Sequence, residues 1–337
     1  MLVTLFLNMS VQSYKIILYS SLIIRIYFVP LQPEIKNMKQ TMILAAGLGT
    51  RLKPLTDTMP KALVPVGGKP LLDINIRRLQ AQGYDRFIVN IHHFAQQIRD
   101  HVAQQDYAPL VHFSDETDAL LETGGGLKKA QDLFRPDEPI LIHNVDILDN
   151  VDYGWFSRQH QADEDAVLLV SKRQTKRYLL FDNAMRLMGW INKETGEVKS
   201  PFPWLRTAEL TLGDDLQVTS HHSPLTTHLY AFAFSGIHSF SPRLFPLMDR
   251  FPDRFSIIDF YLSVCHRAHI VGLVKDDLDV LDVGKLDSLD AAEHFLDSSH
   301  HPFPLLNQEG CPKDGVVQVS PLDSGGVSEG RGGITIA

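Results

Sequence analysis

Cysteine is scarce in this chain, which has only Cys265 and Cys311 among its 337 residues. Two cysteines provide neither a disulfide framework nor the spacing of a metal site. Cys265 lies in an apolar stretch with helical character, so we expect it to be a small residue of the core. The lack of a disulfide framework is typical of a reducing compartment, and we predict that the protein is cytoplasmic.

The chain also lacks an excess of basic residues. Lysine and arginine total 32 against 40 aspartate and glutamate residues, which gives a net charge of −8. This charge argues against nucleic acid as a partner. It does not argue against a nucleotide, because binding one requires only a few local cations. A composition of 44% hydrophobic and 21% charged residues is typical of a soluble globular protein.

An apolar run long enough to span a membrane is missing as well. The best candidate, residues 16–24, is bounded by Lys15 and Arg25 and is far shorter than the roughly 20 residues required. No basic segment precedes the apolar start of the chain at residues 1–3, and no small-residue cleavage site follows the run, so a signal peptide is disfavoured. We interpret residues 1–37 as a non-native or disordered extension translated from an early start codon, with a membrane-surface anchor as the alternative. No stable membrane insertion is expected.

The most informative feature present is a glycine-rich segment. Residues 44–56 read L-A-A-G-L-G-T-R-L-K-P-L-T, and Lys61 follows shortly after. The dinucleotide fingerprint requires a third glycine where Leu52 stands, and the P-loop spacing is absent. Glycines allow backbone N–H groups to approach a phosphate, and Arg51 and Lys61 could neutralise a polyphosphate. A plain glycine turn would explain the glycines but neither cation, so the predicted ligand is a nucleoside triphosphate.

The pattern L-A-A-G-x-G-T-R-L-x-P-L-T-x-x-x-P-K resembles the sugar-1-phosphate nucleotidyltransferases. This resemblance implies a Rossmann-like α/β fold with a mostly parallel central sheet. It also implies Mg²⁺ dependence and synthesis of a nucleoside-diphosphate sugar with release of pyrophosphate. Apolar runs that alternate with helical patterns independently predict a parallel sheet with crossover helices. We expect this domain to occupy residues 38–298, with a β-rich insertion on the sugar side over 173–228 and a disordered tail over 299–337.

The chemistry of Arg51 and Lys61 suggests which phosphates of the nucleotide each would contact. The planar guanidinium of Arg51 suits bidentate contacts with the β- and γ-phosphates. Lys61 would act as a point charge at the α-phosphate, and both residues are predicted to be catalytic. The predicted nucleotide-binding residues are Ala45, Ala46, Gly47, Gly49, Thr50, Glu116, Thr123 and Gly124.

Two aspartates are predicted to bind Mg²⁺, which prefers one or two carboxylates together with phosphates and water. Asp146 follows a buried strand at the edge where open α/β sheets bind ligands. Asp282 lies in an apolar strand, where a carboxylate is costly unless it is paired or bound to metal. In the family that the chain resembles, these positions belong to G-D and D-V-G-T motifs, from which Val145 and Lys285 depart. The neighbouring Asp149 is predicted to be solvated.

The sequence E-T-G-G-G over residues 122–126 is the second specific motif. We predict a glycine loop that lets the base or ribose approach, followed by a helix that begins at Gly126. Without that function, Thr123 would simply cap the helix. The motif resembles the branch that includes the N-acetylmuramate-1-phosphate uridylyltransferases, and it resembles mannose-1-phosphate guanylyltransferase-like proteins almost as well.

Sugar contacts are expected from Asn144 and from Gly236, which lies in an F-S-G-I segment similar to one in the uridylyltransferase branch. The insertion offers four more possible contacts, namely Arg177, Tyr178, Trp190 and Asn192.

Three functions are compatible with this sequence. The favoured hypothesis is an Mg²⁺-dependent transfer from UTP to a sugar 1-phosphate, for cell-wall or surface-glycan metabolism. The second is a guanylyltransferase that uses GTP with mannose or heptose 1-phosphate. The third is a non-catalytic nucleotide-sugar sensor, which only the departures at Val145 and Lys285 favour. The oligomeric state and the identity of the sugar stay open.

Overall fold

The computed structural model describes residues 3–9, 12–18, 29–30, 38–208, 210–213, 216–220 and 228–297. The predictions for residues 299–337, and for the parts of 1–37 between those ranges, lie outside the described residues. Within the described residues, no helix has the length and apolar character that a membrane span requires.

The described residues form strands and helices that alternate through much of the chain. The strands are β1 (Val3–Met9), β2 (Gln12–Leu18), β3 (Val29–Pro30), β4 (Gln40–Leu44), β5 (Pro65–Val66), β6 (Lys69–Pro70), β7 (Arg86–Ile91), β8 (Val111–Asp115), β9 (Ile140–Asn144), β10 (Ile147–Asp149), β11 (Ala166–Ser171), β12 (Arg177–Phe181), β13 (Leu187–Asn192), β14 (Val198–Lys199), β15 (Leu210–Leu212), β16 (Gln217–Ser220), β17 (Leu229–Phe240), β18 (Ile270–Val274) and β19 (Val280–Asp282). The helices are α1 (Leu71–Ala81), α2 (Ala95–Ala103), α3 (Glu122–Lys129), α4 (Tyr153–Gln159), α5 (Pro203–Arg206), α6 (Phe245–Met248), α7 (Ile257–Val264) and α8 (Leu289–Asp297).

The central sheet is mixed and mostly parallel where the glycine segment meets it. Its main path runs β14-β13-β12-β17-β9-β4-β7-β8, and the neighbours β9-β4-β7-β8 are parallel. The long strand β17 pairs antiparallel with β9, β11 and β12 and so joins the parallel part to the insertion. The predicted α/β class and the predicted β-rich insertion, which carries β12 to β16, are both confirmed. Strands β1–β3 form a separate antiparallel sheet.

Burial explains why the parallel strands were readable as apolar runs. Every residue of β4 is buried, because a parallel sheet carries helices on both faces. Helix α1 buries Leu72, Ile76 and Leu79, the residues whose helical spacing predicted it. Because β4 pairs in parallel with both β7 and β9, the carboxyl ends of the three strands lie side by side at one edge of the sheet. The predicted phosphate-binding and metal-binding residues follow these strand ends.

A short two-stranded ribbon brings the two predicted metal ligands to that edge. Strand β10 pairs antiparallel with β19, and Ile147 lies opposite Asp282. The backbone N–H of Val283 donates to the carbonyl of Asp146 at 2.8 Å. The aspartates are 136 positions apart in the sequence, and this pairing places them next to each other.

Asp149, the last residue of β10, holds this two-stranded ribbon against the core, and the prediction that it is solvated is wrong. Its carboxylate is completely buried and accepts hydrogen bonds from Arg78 Nη2 at 2.8 Å, the Tyr153 hydroxyl at 2.7 Å and the Val151 N–H at 2.8 Å. His143 Nε2 lies 3.1 Å away. Burial opposes ionisation, but Arg78 and His143 outweigh it and hold the pKa of Asp149 well below its usual range.

The buried imidazole of His238 in β17 gives the first testable prediction. Neither ring nitrogen has a hydrogen-bond partner among the described residues, and burial, with the nearby His143, lowers its pKa to about 3. The folded protein holds this group neutral, whereas the unfolded chain protonates it below about pH 6.5. Stability from this group is therefore present above pH 6.5 and is lost as the pH falls towards 3. At pH 5 the loss is about 2 kcal/mol.

Replacing His238 with phenylalanine should remove this pH dependence. We expect the difference in unfolding free energy between pH 8 and pH 5, measured by urea titration, to shrink by about 2 kcal/mol. Comparing two pH values within one variant cancels any change in packing. An undiminished difference would contradict the assignment.

Candidate active site

The glycine segment is held at the end of β4 by an asparagine that sequence analysis missed. Asn90 lies at the end of β7, and its Oδ1 accepts hydrogen bonds from the N–H groups of Ala45 at 2.7 Å and Ala46 at 3.4 Å. Gly49 has φ +62°, and its carbonyl accepts from the Thr56 hydroxyl at 2.8 Å. The segment is therefore a fixed loop, and glycine is required at position 49 by the backbone conformation.

Lys61 lies against both this loop and the first predicted metal ligand. Its ammonium is 2.7 Å from Asp146 Oδ2, and the two side chains are only 13% and 10% exposed. A Cβ added to Gly47 would lie 3.6 Å from Lys61 Nζ. A cation thus stands between the glycine loop and a carboxylate, where it can meet a phosphate that the loop holds.

Asp282, the second predicted metal ligand, and Arg51, the second predicted cation, lie close to Asp146 around Gly284. A Cβ added there would lie 2.7 Å from Asp282 Oδ1, 2.8 Å from Asp146 Oδ2 and 2.8 Å from Arg51 Nη2. Both carboxylates therefore converge on one point, which only glycine leaves free. Arg51 Nη2 lies 3.5 Å from Asp282 Oδ2, with both side chains about half exposed. Two acidic and two basic side chains thus share one edge of the sheet.

A cavity of about 420 Å³ opens beside this group. Its lining includes these residues of the predicted site: Ala46, Gly47, Lys61, Glu116, Thr123, Asn144 and Asp146. Asn90 also lines it. The other predicted site residues are not part of the lining, namely Ala45, Gly49, Thr50, Arg51, Gly124, Gly236 and Asp282. Volume and lining suit a small-molecule ligand that enters between the glycine segment and α3.

Glu116 is the most deeply buried acid in the cavity wall. It receives hydrogen bonds from Asn90 Nδ2 at 2.8 Å and from the Leu121 N–H at 3.2 Å. Burial raises its pKa, and these donors oppose the rise. Asn90 therefore links the glycine segment to Glu116, across the floor of the cavity.

The prediction that residues 124–126 form a loop before a helix is wrong. Helix α3 begins at Glu122, so the three glycines lie inside it. The Gly124 and Gly125 N–H groups both donate to the Phe255 carbonyl, at 2.9 and 3.2 Å. The glycines thus let another backbone segment approach the helix closely. Thr123 caps a different helix, because its hydroxyl accepts from the Ile257 N–H of α7 at 2.9 Å.

This close packing makes a prediction about Gly125. An added Cβ would lie 2.0 Å from the Asp253 carbonyl oxygen, so a backbone must move. We expect Gly125→Ala to lower the free energy of unfolding by about 2–3 kcal/mol. Gly154→Ala in α4 is the control, since an added Cβ there would meet the ends of side chains, the nearest being that of Asp152 at 3.1 Å, and no backbone; it should change stability by less than about 1 kcal/mol. Equal effects in the two variants would refute the packing explanation.

The residues predicted to contact the sugar separate into two places. Asn144 lines the first cavity, and a Cβ added to Gly236 would lie 3.0 Å from Asn144 Nδ2. Arg177, Tyr178 and Trp190 instead line a second cavity of about 390 Å³. Asn192 is not part of that lining; its side chain accepts from the Glu194 N–H at 3.0 Å in a turn.

Neither of the two residues that depart from the family motifs lines the first cavity. The Val145 side chain is fully buried, its N–H donates to the Leu44 carbonyl, and its own carbonyl accepts from Asn75 Nδ2 at 2.9 Å. The valine therefore points away from the cavity edge and packs in the core. Lys285 is exposed and follows Gly284.

Comparison with known proteins agrees with this geometry. Residues 40–178 match the family model described as nucleotidyl transferase. The chain is 44% identical over 111 residues to an N-acetylmuramate alpha-1-phosphate uridylyltransferase of Caulobacter vibrioides, a match that covers 32% of this chain and 46% of that protein. It is 30% identical over 125 residues to a putative mannose-1-phosphate guanyltransferase of Sulfolobus acidocaldarius, covering 37% and 34% of the two chains.

The chain thus spans about half the length of the first relative and a third of the second. The fold is similar to that of the inositol-1-phosphate CTP transferase from T. maritima, with a TM-score of 0.56 at 14% identity over 78% of this chain and 96% of that one. Residues 40–178 are thus similar to the nucleotidyl transferase family, and the fold is that of a solved nucleotidyltransferase.

Proposed function

We propose that this protein transfers a nucleotidyl group from a nucleoside triphosphate, preferentially UTP, to a sugar 1-phosphate and releases pyrophosphate. The observation that carries the proposal is the position of Lys61, whose ammonium pairs with Asp146 and lies beside Gly47 of the glycine loop in the lining of a cavity. Phosphoryl chemistry relies on positioning and on electrostatic stabilisation, and this arrangement offers both.

The reaction follows from the charges along the cavity edge. A phosphate oxygen of the sugar 1-phosphate attacks the α-phosphorus, an O–P bond forms, and the bond to the β-phosphate oxygen breaks. Negative charge then builds up on the α-phosphate and on the leaving pyrophosphate. Lys61, beside the loop, would stabilise the α-phosphate, and Arg51, which is half exposed at the rim, would hold the departing β- and γ-phosphates.

Asp146 and Asp282 fit a divalent cation. Their carboxylate oxygens converge on one point beside Gly284, and Mg²⁺ prefers one or two carboxylates together with phosphate and water oxygens. When bound, Mg²⁺ would neutralise phosphate charge and bring the two anionic substrates together. Lys61 and Arg51, the present partners of these carboxylates, would then be released to the phosphates.

The base would enter the cavity between the glycine segment and α3. Asn90 and Glu116 are the side chains best placed to meet it, because they line the cavity and are linked by a hydrogen bond. UTP is the preferred donor in this proposal, and GTP is the alternative. The Caulobacter relative is named for N-acetylmuramate 1-phosphate, which makes this sugar the first acceptor to test. We place the activity in the cytoplasm, in cell-wall or surface-glycan metabolism.

Pyrophosphate release over a grid of substrates tests this function. UTP, GTP, dTTP and CTP would each be combined with N-acetylmuramate, N-acetylglucosamine, glucose and mannose 1-phosphates, with Mg²⁺, using the full chain. We expect release with one donor and one acceptor well above all other pairs. Nucleotide binding without release from any pair would reject the transferase and favour a nucleotide-sugar sensor.

A further inference from the structure

The second cavity lies beside the first and opens on the insertion. Ser256 lines both cavities. Phe234, which lines the second, is two residues before Gly236 in β17. The Gly236 position in turn adjoins Asn144 of the first cavity, at 3.0 Å from an added Cβ. Because the two cavities share Ser256, a ligand held in the first cavity can extend past this residue into the second.

Positive charge dominates this second cavity. Its lining includes three cations, Arg173, Arg177 and Lys199, against a single carboxylate, Asp259. Lys199 is already engaged, since its ammonium lies 3.6 Å from Asp259 and 5.3 Å from the centre of the Trp190 ring. The other two cations are the guanidinium groups of Arg173 and Arg177, and neither has an ion-pair partner among the described residues.

The segment that presents these two arginines is held in place. Tyr178 is buried, and its hydroxyl accepts from the Thr175 N–H at 3.0 Å and donates to Gln174 Oε1 at 3.3 Å. Arg173 Nη2 also donates to the Phe234 carbonyl at 3.0 Å. The loop before β12 is thus tied to the cavity wall from both ends, which lowers the entropic cost of using its side chains to bind a ligand.

We propose that Arg173 and Arg177 select acceptor sugars that carry a carboxylate in addition to the 1-phosphate. This inference rests on the proposed transferase function. In that reaction the 1-phosphate must reach the α-phosphate of the donor, beside Lys61 and Asp146, and both of these line the first cavity and not the second. The unpaired guanidiniums are therefore available for a different anionic group, and their planar fork suits a carboxylate.

Two acceptors that differ only in this group test the proposal. N-acetylmuramate 1-phosphate is N-acetylglucosamine 1-phosphate with a lactyl ether that carries a carboxylate. Binding of each would be measured by ligand-observed NMR, and kcat/KM by pyrophosphate release. We expect the unaltered protein to prefer the acidic sugar. Arg173→Gln and Arg177→Gln should each weaken binding of the acidic sugar roughly 10- to 100-fold and lower kcat/KM for it, with little effect on the neutral sugar.

Lys176→Gln is the matched control. Lys176 lies between the two arginines in sequence but pairs with Glu194 at 2.8 Å outside the cavity, so its loss should leave the preference unchanged. Equal weakening of both sugars in the arginine variants would mean that the guanidiniums hold the shared 1-phosphate, and would overturn the proposal. So would an unaltered protein that shows no preference. NMR binding needs no turnover, so failure of the transferase assay and failure of this selectivity are separate results.

Discussion

Replacing Asp146 with asparagine is expected to lower kcat/KM at least about 10³-fold while leaving the protein folded. Asparagine keeps the shape of the side chain but removes the charge that a divalent cation and Lys61 both require. Asp146 also faces the point beside Gly284 that it shares with Asp282, so its loss removes half of the proposed carboxylate pair. Stabilisation of phosphate charge by a metal is worth several kcal/mol, which accounts for the size of the effect.

Two measurements separate this role from a structural one. Circular dichroism should show an unchanged fold, and titration with Mn²⁺ followed by electron paramagnetic resonance should show weakened metal binding in the variant. Asp276→Asn is the control, because Asp276 is an exposed acid that pairs with Lys172 at 2.8 Å, outside both cavities. Near-normal turnover by the Asp146 variant would remove this residue from the proposed metal site.

Much of the site was predictable because its residues are tied to local patterns. The glycine segment needs a turn directly after a buried strand, and Arg51 and Lys61 follow it at short spacing. Asp146 follows β9, whose apolar run marks a fully covered parallel strand. The convergence of Asp282 on Asp146 could not be read from spacing alone, since it depends on the pairing of β10 with β19. The resemblance to a known family supplied that expectation.

Residues whose partners are remote were misread or missed. Asp149 was interpreted as solvated because the sequence does not show that Arg78, 71 positions earlier, meets it in the core. Asn90 looks like an ordinary polar residue at the end of a strand, yet it holds the glycine segment, 45 positions earlier. Glycines suit either a loop or close packing, and only the approach of Phe255 decides between these for α3.

The buried carboxylate of Asp149 carries the largest expected effect on stability. Asp149→Ala should lower the free energy of unfolding by about 3–5 kcal/mol, because it leaves the Arg78 guanidinium charged and unpaired in the core. The Arg78 side chain is only 5% exposed. Its Nη2 also donates to the Val151 carbonyl at 2.9 Å, but a neutral carbonyl cannot replace the negative charge of Asp149. The Tyr153 hydroxyl also loses its acceptor.

Urea unfolding of this variant should be compared with Asp85→Ala. Asp85 pairs with Arg135 at 2.7 Å, but half of its side chain is exposed, so this loss should cost no more than about 1 kcal/mol. Adding Arg78→Met to Asp149→Ala should recover part of the stability, since it removes the unpaired charge. Similar losses in the two single variants, or no recovery in the double variant, would contradict a buried ion pair as the anchor of β10.

Because β10 holds β19 in register, any Asp149 variant that stays folded should also bind Mn²⁺ more weakly, whereas Asp85→Ala should not.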